Sequence, residues 1–247
     1  MSPAAPDAAP TAPAAHPHAA DARPARPAAR CPFHVEAPLT TSRRMREECA
    51  DLHEAAEQGD LARGMVAATL TRQQYADFLG QMHAAMLVLD QRLAEARATT
   101  PAIAALVDDA QMQAPNLRAD LEFLGVQPSS VLPRRGSIAL IDAANHWAAA
   151  NPLGLLGLHY VREGANNGNR YVALKLRKAW AHLWDTARPD GFRHLDPYGI
   201  DQRPRWDRFK ATLDAQPLTP AQQDTLVHAA RDMFKAITAI HEDVATA

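Results

Sequence analysis

From Leu39 onward, apolar side chains return every three or four positions, and no window holds the strict alternation of a half-buried strand. Met45, Cys49, Leu52 and Ala56 mark a first helix that Thr40, Thr41 or Ser42 caps and that Gly59-Asp60 ends. Leu61 to Ala68 is a shorter helical piece. Thr71-Arg72-Gln73-Gln74 reads as a capping box opening a helix to about Ala98, with Tyr75, Phe78, Leu79, Met82, Met86, Leu89 and Leu93 on one face. Pro101 starts another helix reaching Leu124-Gly125, with a kink or break expected at Pro115. Ser137 to Ala150 is amphipathic, and Asn151-Pro152 then supplies an N-cap and first-turn proline for a helix to Trp180. A turn-rich loop over 188–202, a short helix from Arg205 to Leu213, and a second capping box at Thr219-Gln222 lead to a last helix ending near Val244. The pattern predicts an all-α domain of seven or eight helices with no internal repeat.

One stretch strains that pattern. The Asn151–Trp180 segment carries Gly164-Ala165-Asn166-Asn167-Gly168-Asn169 at its middle. Glycine inside a helix costs about 1 kcal/mol against alanine, and asparagine is a mediocre helix former. Such a segment offers bare backbone that a flat, bulky ligand can approach. It also suits a plain packing kink against a neighbouring helix.

Hydrophobic residues make up 47% of the 247, enough for a sizeable core, and the formal charge is −2. That balance gives no electrostatic reason to expect nucleic acid or an anionic membrane as partner. No apolar run approaches the roughly 20 residues that span a bilayer. Residues 1–37, rich in Ala, Pro, Arg and His, read as a disordered tail ahead of a 38–247 helical domain. The tail lacks the layout of a secretory signal, and two cysteines, Cys31 and Cys49, make no disulfide framework, so a reducing cytoplasm is the simplest compartment. Within the tail, Cys31-Pro32 beside His34 has the makings of a soft-ligand site for heme or metal.

Candidate chemistry is sparse. His53 lies at the edge of the first helix's apolar face, where a neutral imidazole can ligate iron or hydrogen-bond within a core. Arg46, two turns earlier, suits a ligand carboxylate. His159 and Glu163 share a face four residues apart, a metal pair if carboxylates such as Glu47, Glu48, Glu54 or Glu57, or His83, converge on it. There is no Cys-x-x-Cys, no His-Glu-x-x-His, no phosphate-binding glycine loop and no nucleophile elbow.

Three stretches together resemble the heme oxygenase family, in its bacterial branch. Leu52-His53-Glu54-Ala55-Ala56-Glu57 is similar to the proximal-helix pattern, and Leu70-Thr71-Arg72-Gln73-Gln74-Tyr75 to the opening of the family's next long helix. Tyr160-Val161-Arg162-Glu163-Gly164-Ala165-Asn166-Asn167-Gly168 is similar to the bacterial distal-helix pattern, and order and spacing agree over roughly residues 39–245. The resemblance implies a heme oxygenase-like multi-helical bundle in which His53 is the axial iron ligand and Gly164–Gly168 lies over the other heme face. It places Arg46 near a heme propionate, with Arg205, Arg208 and Lys210 as further propionate partners. It puts His83 where a polar residue helps order distal water, and Phe234 in the pocket lining. The implied reaction is oxygen-dependent opening of heme, both substrate and cofactor, to biliverdin, carbon monoxide and ferrous iron, with electrons from an external donor such as a reductase or ferredoxin-type protein.

Two positions depart from the family. Many members carry a distal aspartate just after the first glycine, where this chain has Ala165, and another glycine where it has Asn169. Ala165 and Asn169 therefore bear on whether bound heme is cut. Two other readings stand beside the enzyme: a heme-binding or sensing protein of the same fold, and a non-heme iron oxidase using His159, Glu163 and first-helix carboxylates.

Overall fold

The computed structural model describes residues 39–183, 185 and 187–246. The predicted tail over 1–37, with Cys31, Pro32 and His34, lies outside the described residues. Of the described residues 76% are helical, and none lies in a strand. Ten α-helices follow in order: α1 (Thr41–Glu48), α2 (Ala50–Gln58), α3 (Asp60–Ala67), α4 (Arg72–Arg97), α5 (Pro101–Leu106), α6 (Ala114–Phe123), α7 (Arg135–Ala150), α8 (Gly154–Ala179), α9 (Gln202–Asp214) and α10 (Pro220–Ala245).

Local chemistry sets the starts. Thr71 Oγ1 accepts the N–H of Gln74 while Gln74 Oε1 accepts that of Thr71, at 3.1 and 3.0 Å. Thr219 and Gln222 repeat the reciprocal cap at the head of α10. Each box satisfies donors that the first helical turn would otherwise leave bare.

Three boundaries differ from the sequence pattern. The predicted first helix is two, broken at Cys49, which leaves the helical region at φ −111° and ψ 5°. Arg231, from α10, takes the carbonyl of Glu48 at 2.6 Å and the carboxylate of Asp51 at 2.8 and 2.9 Å, so the Glu48 carbonyl at the break has a partner. The helix begun by Pro101 stops at Leu106; Pro115 then opens α6 instead of kinking a longer helix, because Asp90 of α4 accepts the N–H of Ala114 at 2.8 Å. α8 begins at Gly154 with Leu153 at its N-cap and no side-chain cap, so Asn151 does not cap it and Pro152 lies ahead of its first turn. Asn151 instead accepts the N–H of Leu153 at 3.3 Å.

Three 26-residue helices, α4, α8 and α10, form the centre. α10 packs along α8 and α7, and α4 along α7 and α6. At Gly157 the crossing of α8 over α10 is so close that a Cβ would stand 2.3 Å from the carbonyl oxygen of Leu226, so only glycine lets the two backbones meet. Leu79, Met86, Leu89, Leu155, Leu158, Met233 and Ile240 fill the interior. No helix among the described residues is long and apolar enough to cross a membrane. The weak middle of α8 stays helical through Asn169.

Candidate active site

A cleft of about 820 Å³ opens between α1 and α2 on one side and α8 on the other, with Trp206 of α9 and Phe234 of α10 completing its lining. Met45 and Cys49 are its buried floor. Burial pushes the Cys49 thiol up to about 11, so it stays protonated at neutral pH and makes a poor metal ligand.

His53 projects into this cleft from α2, a helix with no buried residue. Its side chain is 59% exposed, and the ring meets Phe234 edge-on at 5.5 Å. Nδ1 lies 3.6 Å from Oε1 of Glu57, one turn further on. Arg43, tied to Glu47 at 2.8 Å, and Arg46, with no ion pair among the described residues, place two guanidinium groups along the same side.

The facing wall is α8, presenting Tyr160, Val161, Gly164 and Ala165. Trp206 lies against the bare backbone of Gly164, where a Cβ would stand 3.4 Å from the indole. The indole stacks on Phe209 at 5.7 Å and tilts over Tyr160 at 5.1 Å, while the Tyr160 hydroxyl donates to the Ser42 carbonyl at 3.1 Å. These contacts hold the aromatic side of the cleft in place.

The polar groups of α8 turn the other way, into the bundle. Arg162 pairs with Asp90 at 2.5 Å and reaches His159 Nδ1 at 2.7 Å. Burial, and then the Arg162 charge, hold the His159 imidazole neutral by driving its pKa well down. Glu163 accepts the hydroxyl of Tyr198 at 3.1 and 3.2 Å, and burial lifts its carboxyl to about 7 against the opposing pull of Arg162.

A heme oxygenase family model matches residues 39–243. The chain belongs to the heme oxygenase family. Among solved structures, heme oxygenase-1 from the cyanobacterium Synechocystis sp. PCC6803, in complex with heme, superposes with a TM-score of 0.73 at 17% identity, over 83% of this chain and 92% of that one. Heme oxygenase from Leptospira interrogans gives 0.75 at 17% identity, over 83% and 100%. A TenA homologue from P. horikoshii shares the fold at 0.59 and 13% identity, over 83% and 98%. No curated protein matches by sequence.

Within this heme oxygenase fold, His53, Arg46, Gly164, Ala165 and Phe234 come together on the one cleft. Gly168 is one turn beyond it and exposed, with nothing within 4 Å of where a Cβ would be, and Asn169 is half-buried outside the lining. His83 is buried on α4, away from the cleft lining, its pKa lowered by burial and then by Arg118. Arg205 and Arg208 line a second recess beside α5, because two residues along a helix is 200° of turn and carries Arg208 to the face opposite Trp206. Lys210 pairs with Asp207 at 3.0 Å and lies 5.5 Å over the Trp206 ring. His159 and Glu163 serve separate partners, and among the described residues no group of three His, Cys, Asp or Glu is arranged to hold a metal ion.

Trp206 and Tyr160 join the lining beyond the residues the sequence pattern points to, and Glu57 stands beside His53. The i, i+4 spacing of His53 and Glu57 was the available signal. Nothing local in the sequence marks Trp206, whose place depends on how α9 rests on α8.

Proposed function

We propose that this heme oxygenase family member opens heme to biliverdin, carbon monoxide and ferrous iron, using molecular oxygen and electrons from an external donor such as a reductase or ferredoxin-type protein. The observation that supports this most is the exposed His53 imidazole on one wall of a cleft whose other wall is the bare backbone at Gly164 and the small Ala165. The residues present suit a flat, largely apolar macrocycle with acidic edges. Tyr160, Val161, Trp206 and Phe234 offer apolar walls, and the volume lies in the range of small-molecule sites.

Heme supplies the iron at which oxygen is reduced and the porphyrin that is cut. His53 would hold it through Nε2: a carboxylate near Nδ1 favours the tautomer with its proton there, leaving the Nε2 lone pair free. Arg46 and Arg43 would take the propionates as charge-assisted donors. Gly164 and Ala165 let the ligand plane come close to α8, and Trp206 with Phe234 exclude bulk water from its flanks.

One observation favours a second reading, a protein that holds heme without cutting it. The α8 wall presents no carboxylate to the cleft, since Ala165 stands there and Glu163 faces Tyr198. Hemin added to the purified protein, followed by reductant in air, separates the two. A Soret complex that decays into a biliverdin spectrum with carbon monoxide release supports cleavage, and a complex that survives reduction supports holding. Absence of a Soret complex would overturn both.

A further inference from the structure

We propose that the recess between α5 and α9 is a binding site for a small monocarboxylate, seated between Arg205 and Arg208, and that its occupation is felt at Glu163 behind the cleft wall. This site is separate from the heme cleft and does not rest on heme cleavage. The recess measures about 160 Å³ and is lined by Ala104, Val107, Asp108, Arg205, Arg208 and Thr212, among others. That is room for about five water molecules, or a carboxylate on a chain of two or three carbons.

Charge selects the ligand. Many arginines among the described residues are tied to carboxylates, as in Arg44–Glu48, Arg92–Glu95, Arg97–Asp109 and Arg135–Glu242. Arg205 and Arg208 have no carboxylate partner among the described residues, although both face the same recess one turn apart. Two planar guanidinium forks match one carboxylate. The Asp108 carboxylate on the facing turn disfavours a dianion such as phosphate and accepts from a hydroxyl, so an α-hydroxy acid fits better than a plain one.

The link inward is a short chain of contacts. Arg205 lies 4.6 Å over the ring of Tyr198, whose hydroxyl donates to Glu163. The groups acting on the Glu163 carboxyl are Arg162 on its own helix, Tyr198 ahead of α9, Arg205 on α9 and Asp108 on the turn after α5, the last two being recess residues. A bound carboxylate offsets the Arg205 charge and so favours protonated Glu163. By reciprocity, protonated Glu163 favours the bound carboxylate.

The test uses the heme-free protein and glycolate, titrated at constant ionic strength in chloride and read by NMR or calorimetry. Glycolate should saturate, bind more tightly than acetate, and weaken from pH 6 to pH 8. Arg208→Ala and Arg205→Ala should each cost about tenfold in affinity, with Arg208→Lys between. Glu163→Gln should keep glycolate binding and lose its pH dependence. Equal affinity in Arg208→Ala and the parent protein, or no saturation, overturns the site. A pH dependence unchanged in Glu163→Gln overturns the link to the cleft wall.

Discussion

His53 Nδ1 stands 3.6 Å from Glu57 Oε1 across one turn of α2, on a helix that buries none of its residues. At that separation the carboxylate polarises the ring's far nitrogen without gripping it in a short hydrogen bond. His53→Ala should abolish a histidine-ligated ferric heme spectrum with almost no loss of stability, because an exposed i, i+4 pair contributes well under 1 kcal/mol. Glu57→Gln should keep the ligand but lower the iron–histidine stretching frequency by resonance Raman. An unchanged ferric spectrum in His53→Ala would sink the assignment.

Gly164 and Gly157, two turns apart on α8, should answer the same substitution oppositely. At Gly164 a Cβ meets only the Trp206 indole, at 3.4 Å, so Gly164→Ala should gain up to about 1 kcal/mol from helix propensity while weakening heme binding. At Gly157 the Cβ would meet the Leu226 carbonyl at 2.3 Å, so Gly157→Ala should lower Tm and leave the surviving fold's heme spectrum intact. Thermal unfolding with hemin titration checks both.

Two buried carboxyls should each withdraw stability as pH rises toward neutrality, while the buried imidazoles of His159, His194 and His241, their pKa values lowered by burial, act in the opposite sense below the ordinary 6.5. Burial lifts Glu163 from an ordinary 4.5 to about 7 and Asp120 from 3.8 to about 6. A raised folded-state pKa gives stability that is complete below the ordinary carboxylate range and is lost as pH climbs through about 6 and then 7. For Glu163 the full change is on the order of 3 kcal/mol. Glu163→Gln should therefore flatten the upper part of the Tm-against-pH curve and exceed the parent in Tm above pH 7. Parallel curves for the two proteins would show that Glu163 titrates normally.

Arg162 and Asp90 form a buried ion pair, with side chains 2% and 10% exposed. Removing the cation strands a carboxylate in the core, at a cost of about 3–5 kcal/mol. Arg162→Met should thus unfold at markedly lower denaturant. Adding Asp90→Asn should recover part of the loss, because the amide oxygen still accepts the Ala114 N–H. Additive losses in the double variant would contradict the pairing.

The parts of this fold readable along the chain were those fixed by neighbours in sequence. The Thr71 and Thr219 caps close within four residues, and the apolar stripe of α4 repeats from Tyr75 to Leu93, about five turns, so both could be read before any tertiary contact was known. The break at Cys49 could not, because the group that stabilises it, Arg231, is about 180 residues away. The weak middle of α8 marked a run of bare backbone, and of that run the cleft is lined by Gly164 and Ala165. The cleft ends at Ala165, and Gly168 lies on open surface. For Arg208 the helix was foreseen while its rotation was not, and a two-residue offset from Trp206 moved the side chain into another recess.

The seating of α2 has a bearing on how a reaction here would end. Alone among the ten α-helices it has no buried side chain, and non-helical Cys49 and Gly59 bound it at either end. Such a segment opens at a free energy far below that of the core. A protein that destroys the molecule it binds must then part with an open-chain remnant and a loose metal ion. If His53 holds the iron as proposed, the grip and the exit share one thinly covered helix pinned to α10 through Asp51 and Arg231, so loosening that pin with Arg231→Ala should speed release before it changes anything else.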